Sequence, residues 1–243
     1  MNKKKQSNIP PIIENGAIVS DFRQKSSIFN DYFAMQCTPN ITSSTVPITP
    51  VYYTESRLHR IYSSEEKVTN IILALNSMKA HGHDDISISM LKICAHAVSK
   101  PLNLIYERCL SEGTFPSVWK FANVQPIHKK DSRQNKTNYR PISLLSVCGK
   151  ILEKIIFDEL YSFLNKNNLI SANQSGFRPG DSTIYQLISI TSTIFASFEN
   201  YDETRALFLD ISKAFDKVWH DGLRFKLKCN GVSGPLLAFL ITT

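Results

Sequence analysis

No apolar run in the 243 residues is long enough to cross a bilayer, so a membrane partner is not expected. The start, Met1-Asn2-Lys3-Lys4-Lys5-Gln6, is basic, but no apolar stretch follows it, and it does not read as a secretory signal. The five cysteines (37, 94, 109, 148, 229) are odd in number, scattered and never spaced Cys-x-x-Cys. This argues against a disulfide framework or a structural zinc site. It favours reduced thiols inside the cell, in cytoplasm or nucleus. Internal repeats are missing too. Acid is the scarcer charge: 21 Asp and Glu stand against 28 Lys and Arg, for a net charge of +7. Such a moderate excess suits a nucleic-acid partner without requiring one.

What is present is enough for one large or two small domains with a core. Residues 1–20 are polar, contain Pro10-Pro11 and read as loosely ordered. Asp21 to Gln36 carries Phe22, Ile28, Phe29, Tyr32 and Phe33 at helical spacing, and residues 38–56, rich in Pro, Ser and Thr, read as a linker. Ser63-x-x-Glu66 forms a capping box before Val68, Ile71, Ile72, Leu75 and Met78, which share one helical face. A turn at His81–Asp85 precedes a helix near Ser87–Ser99. Pro101 suits the first position of a third helix, which Gly113 would end. Phe121 to His128 reads as an edge strand because Pro126 lacks a donor. Helix is expected from about Ser143 to Asn165 and again after a cap at Asp181 or Ser182. A buried strand is expected over Arg205–Ile211, and a helix over Leu223–Leu227. The pattern is helix-rich α+β.

Asp210 closes the apolar strand Ala206-Leu207-Phe208-Leu209. A carboxylate at the end of a buried strand is costly unless it holds a metal or a proton. Two-metal phosphoryl transfer needs hard oxygen ligands, and such an Asp, with the carbonyl of Ile211, can supply two. An Asp that merely caps a following helix fits the spacing as well. From Lys120 to Arg140 there are six basic residues and one acid, Asp131. Lys129, Lys130, Arg133 and Lys136 could neutralise a phosphate backbone, or could be a solvated loop.

The stretch Phe208-Leu209-Asp210-Ile211-Ser212-Lys213-Ala214-Phe215-Asp216-Lys217-Val218-Trp219-His220 closely resembles the first palm motif of reverse transcriptases of non-LTR retrotransposons of the LINE and jockey kind. Asn138-Tyr139-Arg140-Pro141-Ile142-Ser143-Leu144-Leu145 is similar to the family's template-contacting fingers segment. Gln174-Ser175-Gly176-Phe177-Arg178-Pro179-Gly180-Asp181-Ser182-Thr183 is similar to its nucleotide-receiving segment. Gly113–Val124 and Pro126–Lys130 resemble its N-terminal extension. The resemblance covers roughly residues 60–243.

This resemblance implies roles. Asp210 and Ile211 would bind Mg²⁺, with Asp210 catalytic. Arg178 would clamp a phosphate of the incoming dNTP, where a planar, always charged fork is apt. Phe215 would lie under the sugar and leave no room for a 2′-hydroxyl. Arg140, with Lys129, Lys130, Arg133 and Lys136, would meet nucleic acid, while Tyr139 would pack and Asp216 would turn away from the metals. The partners would be an RNA template, a DNA primer and dNTP.

The expected fold class is α+β, with the helix-rich fingers and partial palm of a right-hand polymerase. It would be truncated before the second catalytic carboxylates, since no Tyr-x-Asp-Asp occurs in the sequence. The expected segments are a poorly ordered 1–59, an N-terminal extension over 60–137, fingers over 138–204 and an incomplete palm over 205–243. Alone, the chain is expected to be inactive in polymerisation and poorly folded at its C-terminal end. A non-catalytic nucleic-acid-binding module, or an inert relic, is the alternative.

Overall fold

In a computed structural model of the chain, residues 9–36, 45–46 and 51–242 are described. Two strands, β1 (Ile12–Glu14) and β2 (Ala17–Val19), pair antiparallel. Their two-residue turn is Asn15-Gly16, with φ of 51° and 80°. Two successive positive φ values define the hairpin turn whose twist matches the strands, and Asn-Gly is its preferred pair. This stretch, expected to be loosely ordered, is folded, and the Asn-Gly signal was there to be read.

Helix α1 (Phe22–Gln36) follows where its periodicity predicts. It buries Phe29 and Phe33 against Ile12 and Tyr139, forming a small second core. Lys25 is also buried; its amine donates to the Ile9 carbonyl at 2.7 Å and lies 4.7 Å from the Phe22 ring.

The main core is helical. Helix α2 (Glu65–Ala74) is capped one residue later than the capping box predicts: Ser64 accepts from the Lys67 amide, while the Ser63 amide bonds Glu107. The helix ends before Met78, which is exposed. Helix α3 (Ile88–Ile93) is capped by Ser87. Helix α4 (Ala95–Glu112) carries Pro101 in its interior instead of starting there, because the break falls earlier, at Cys94. Gly113, as expected, ends it in the left-handed region.

Strands β3 (Ala122–His128) and β4 (Tyr139–Leu145) form a two-stranded antiparallel ribbon, with Pro126 opposite Pro141. The helix expected from Ser143 therefore starts later, as α5 (Val147–Lys166), because Ser143, Leu144 and Leu145 are paired with Val124, Asn123 and Ala122. Helix α6 (Thr183–Glu199) starts at the expected Ser182 cap, which accepts from the Tyr185 amide. Helices α7 (His220–Cys229) and α8 (Gly234–Thr242) follow.

Ile151, Leu152 and Ile155 of α5 are fully buried with Val68 and Ile72 of α2 and Tyr106 of α4. Leu236 and Phe239 of α8 complete that core. Each such side chain contributes about 1.5–3 kcal/mol of burial. The Tyr106 hydroxyl donates to the Cys148 carbonyl at 2.8 Å. Burial holds the Tyr106 phenol above its ordinary range and pushes the Cys148 thiol up to about 11.

Two expectations about the C-terminal part need correction. Arg205–Ile211 is not a buried strand: it has no regular structure, every residue in it is exposed, and no neighbouring strand pairs with it among the described residues. Nor is the C-terminal end the poorly packed part. Leu58 bridges Val232, with the Leu58 amide donating to the Gly231 carbonyl and the Ser233 amide to the Leu58 carbonyl, both at 3.0 Å. This clasp, with the Tyr53 amide on the Cys229 carbonyl at 2.9 Å, also anchors part of the expected linker; residues 38–44 and 47–50 of that linker lie outside the described residues. The bare apolar surface lies instead at 183–215.

Candidate nucleotide and template site

The loop between α5 and α6 is a succession of turns. Amide-to-carbonyl bonds run from Gln174 to Ser171 (3.1 Å), Arg178 to Ser175 (3.3 Å) and Asp181 to Arg178 (3.3 Å). These turns fold Arg178 inward: its guanidinium donates to the Ser171 carbonyl at 3.2 Å and reaches Asn165 Oδ1 at 3.5 Å. It is half-buried. The Ser175 hydroxyl and the Ser182 amide, with the nearby Arg178 charge, hold the Asp181 carboxyl below its ordinary range.

Phe177 stands beside Arg178 with φ of 61° and is 86% exposed. A bulky residue at positive φ is strained, and such strain persists only where the surroundings impose it. Its ring meets Phe215 edge-on, with centroids 5.9 Å apart. The nucleotide-type loop and the palm-type turn are thus in contact. Sequence reasoning singled out Phe215 but not Phe177; the aromatic next to Arg178 was the available signal.

Residues 212–217 form a turn, with Lys213 at φ 55° and the Lys217 amide on the Lys213 carbonyl at 3.1 Å. The Lys213 amine lies 5.3 Å from the Tyr32 ring of α1. Asp216 lines a groove of about 720 Å³ between α1 and the β3–β4 ribbon, together with Lys25, Asn30 and Gln125. Asp210 and Ile211 precede this turn on the extended, exposed segment.

On the ribbon, Lys129, Lys130 and Arg133 sit in the exposed β3–β4 connection, and Arg140 is exposed on β4. Lys136 stands apart from them: it is ion-paired with Glu14 of β1 and fastens the hairpin to the ribbon. Tyr139 packs, as expected, with its hydroxyl on the Arg133 carbonyl at 2.7 Å and its ring 4.9 Å from Phe29.

The turn at His81–Asp85 is structural. Asp84 accepts from the buried Ser146 hydroxyl at 2.6 Å, and His81 lies 3.7 Å from Asp85. A Cβ on Gly82 would come within 2.6 Å of the Leu145 backbone, so only glycine lets the turn lie against the start of α5.

Asp210 makes no hydrogen bond or ion pair among the described residues, and these contain no group of three or more His, Cys, Asp or Glu side chains placed to hold a metal. One carboxylate and one carbonyl do not complete the near-octahedral oxygen shell of Mg²⁺. The residues as they stand do not fit a two-metal centre. No described helix is long and apolar enough to cross a membrane.

Residues 127–241 match the family described as reverse transcriptase (RNA-dependent DNA polymerase). The chain is 35% identical over 164 residues to a probable RNA-directed DNA polymerase from transposon BS of Drosophila melanogaster. It is also 35% identical over 164 residues to the RNA-directed DNA polymerase from mobile element jockey of the same fly. A third relative there, a probable RNA-directed DNA polymerase from transposon X-element, is 32% identical over 163 residues. Each alignment covers 67% of this chain but only 18% of the relative's length. With three motifs in order and these relatives beside them, the chain belongs to the reverse transcriptases of non-LTR retrotransposons and corresponds to part of such a domain.

Proposed function

We propose that residues 138–204 serve as fingers and residues 205–243 as the start of a palm for template-directed addition of dNTP to a primer, with residues 60–137 as an N-terminal extension. The observation that best supports this reading is the contact of Phe177, the neighbour of Arg178 in sequence, with Phe215. Arg178 would bind the triphosphate, Phe215 would exclude a 2′-hydroxyl, and Lys129, Lys130, Arg133 and Arg140 would track the template–primer backbone. Asp210 and Ile211 are the ligands this chain would contribute to Mg²⁺, with the rest of the shell supplied from outside the described residues. The site is intracellular in this reading.

A second reading, a nucleic-acid-binding module without chemistry, is favoured by the solitary Asp210 and the exposed basic connection of the ribbon. One experiment separates the two. An RNA template annealed to a DNA primer should bind the chain with an affinity that falls steeply with salt. If the nucleotide site is formed, the next complementary dNTP with Mg²⁺ slows dissociation of that complex, and Arg178→Ala abolishes the effect. Salt-sensitive binding with no dNTP effect leaves only the binding module. Primer extension by this chain, abolished by Asp210→Ala, would show that it is active alone.

A further inference from the structure

A two-stranded ribbon is marginal in water unless a helix or further strands back it. The β3–β4 ribbon pairs with no further strand among the described residues, yet it holds out the basic connection 129–138. Part of that connection closes on itself. The Lys129 amide donates to the Asn138 carbonyl at 2.8 Å, and the Asn138 side-chain amide to the Ser132 carbonyl at 2.9 Å. Further support comes from the N-terminal residues 9–36, which lie outside the family match. The Ile13 amide of β1 donates to the Gln134 carbonyl at 2.9 Å, and Glu14 pairs with Lys136. Phe29 of α1 packs on Tyr139, whose hydroxyl donates to the Arg133 carbonyl. The Tyr32 ring lies 5.8 Å from the Lys136 amine and 5.3 Å from the Lys213 amine, both within cation–π range.

We propose that Glu14 is a positioning residue for nucleic-acid binding: it fixes the basic connection from behind, and Lys136 is its anchor and not a phosphate contact. This rests on the reading of the connection as a template–primer contact. A loop fixed before it binds loses less freedom on binding, and the saving appears as affinity. Lys129, Lys130 and Arg133 are exposed, whereas the Lys136 side chain keeps only 27% of its surface in solvent and has a carboxylate against it. The Glu14 charge offsets that of Lys136, so the pair adds little to the field at a phosphate. What it adds is a fixed point in the loop.

The two roles of Lys136 differ in sign. If charge alone counts, Glu14→Gln frees Lys136, makes the chain more basic, and tightens binding with a steeper dependence on salt. If position counts, the same substitution releases the loop and weakens binding, against the trend of the charge.

The test is binding of an RNA template annealed to a DNA primer by the 243-residue chain over a salt series, with amide exchange of the free chain beside it. Lys129→Ala and Arg133→Ala should each weaken binding and lower the salt slope by about 1. Glu14→Gln should weaken binding by at least about threefold. It should also speed exchange of the Lys129 amide while helical circular dichroism stays unchanged. Lys136→Glu should weaken binding as well. The swapped chain carrying Glu14→Lys with Lys136→Glu keeps the net charge and restores the pair, and should bind within about twofold of the parent. Unchanged or tighter binding by Glu14→Gln overturns the proposal. So does a swapped chain that binds as weakly as Lys136→Glu alone. If Lys129→Ala and Arg133→Ala change nothing, the connection is not a nucleic-acid contact, and the proposal falls together with that reading.

Discussion

Helices α5 and α6 are of similar length and both are rich in Ile, Leu and Phe, yet their surroundings are opposite. Ile151, Leu152 and Ile155 of α5 are sealed by α2, α4 and α8, whereas no residue of α6 is buried. Local signals explain why both are helical. The Ser182 cap and the apolar periodicity start α6 regardless of its neighbours. Burial is a separate matter, decided by what packs against the stripe. The same division runs through the site: Arg178 is held by α5 through Asn165, while Asp210 is held by nothing among the described residues.

The sharpest way to break this comparison is to truncate one side chain in each helix. Leu152→Ala should cost about 2–5 kcal/mol in urea unfolding. Ile188→Ala should change stability by less than about 0.5 kcal/mol. Equal losses would mean that α6 is covered in solution. A smaller effect is expected at the helix start. Ser182→Ala should cost about 1 kcal/mol of local helix stability. It should be read as faster amide exchange in the first turns of α6 with the global unfolding midpoint unmoved, because no residue of α6 is buried to mask the lost cap.

The smallest effect concerns Glu153, on the partly buried side of α5. Burial raises its carboxyl above the ordinary range, offset in part by Lys150. The folded state therefore keeps that proton to higher pH than the unfolded state, and stability falls as pH rises through and above the carboxylate range. Glu153→Gln removes the penalty. Melting curves of variant and parent should coincide at acid pH and separate by less than about 2 °C at neutral pH. A separation of the opposite sign would mean that the ionised form is the stabilised one.

Most helices were legible because their determinants are local: the Ser182 cap, the Gly113 stop and the periodicity of α1. The capping box misled by one residue, since Ser63 and Ser64 are both competent caps and the Ser63 amide is taken by Glu107, far away in sequence. The strand expected at Ala206–Leu209 has an apolar run, but a strand also needs a neighbour to accept its hydrogen bonds, and none is present among the described residues. At the candidate site, Arg178 and Phe215 were named from their motifs alone. The contact between the two loops through Phe177 was not legible there, because it depends on how a turn-rich loop closes in space. The pairing of Lys136 with Glu14 was hidden for the same reason: a basic run looks uniform until one of its members finds a distant acid.

The clasp between Leu58 and Val232 bears on the order in which the molecule can assemble. It closes a loop of well over a hundred residues, and such long-range closure must be met before its contacts reward it. During synthesis the N-terminal part emerges first. Helices α2 and α4 would then wait with one wall of their core open until Leu236 and Phe239 arrive. Over that interval the nascent chain shows two apolar faces at once, this one and α6, and among the described residues the first alone is closed.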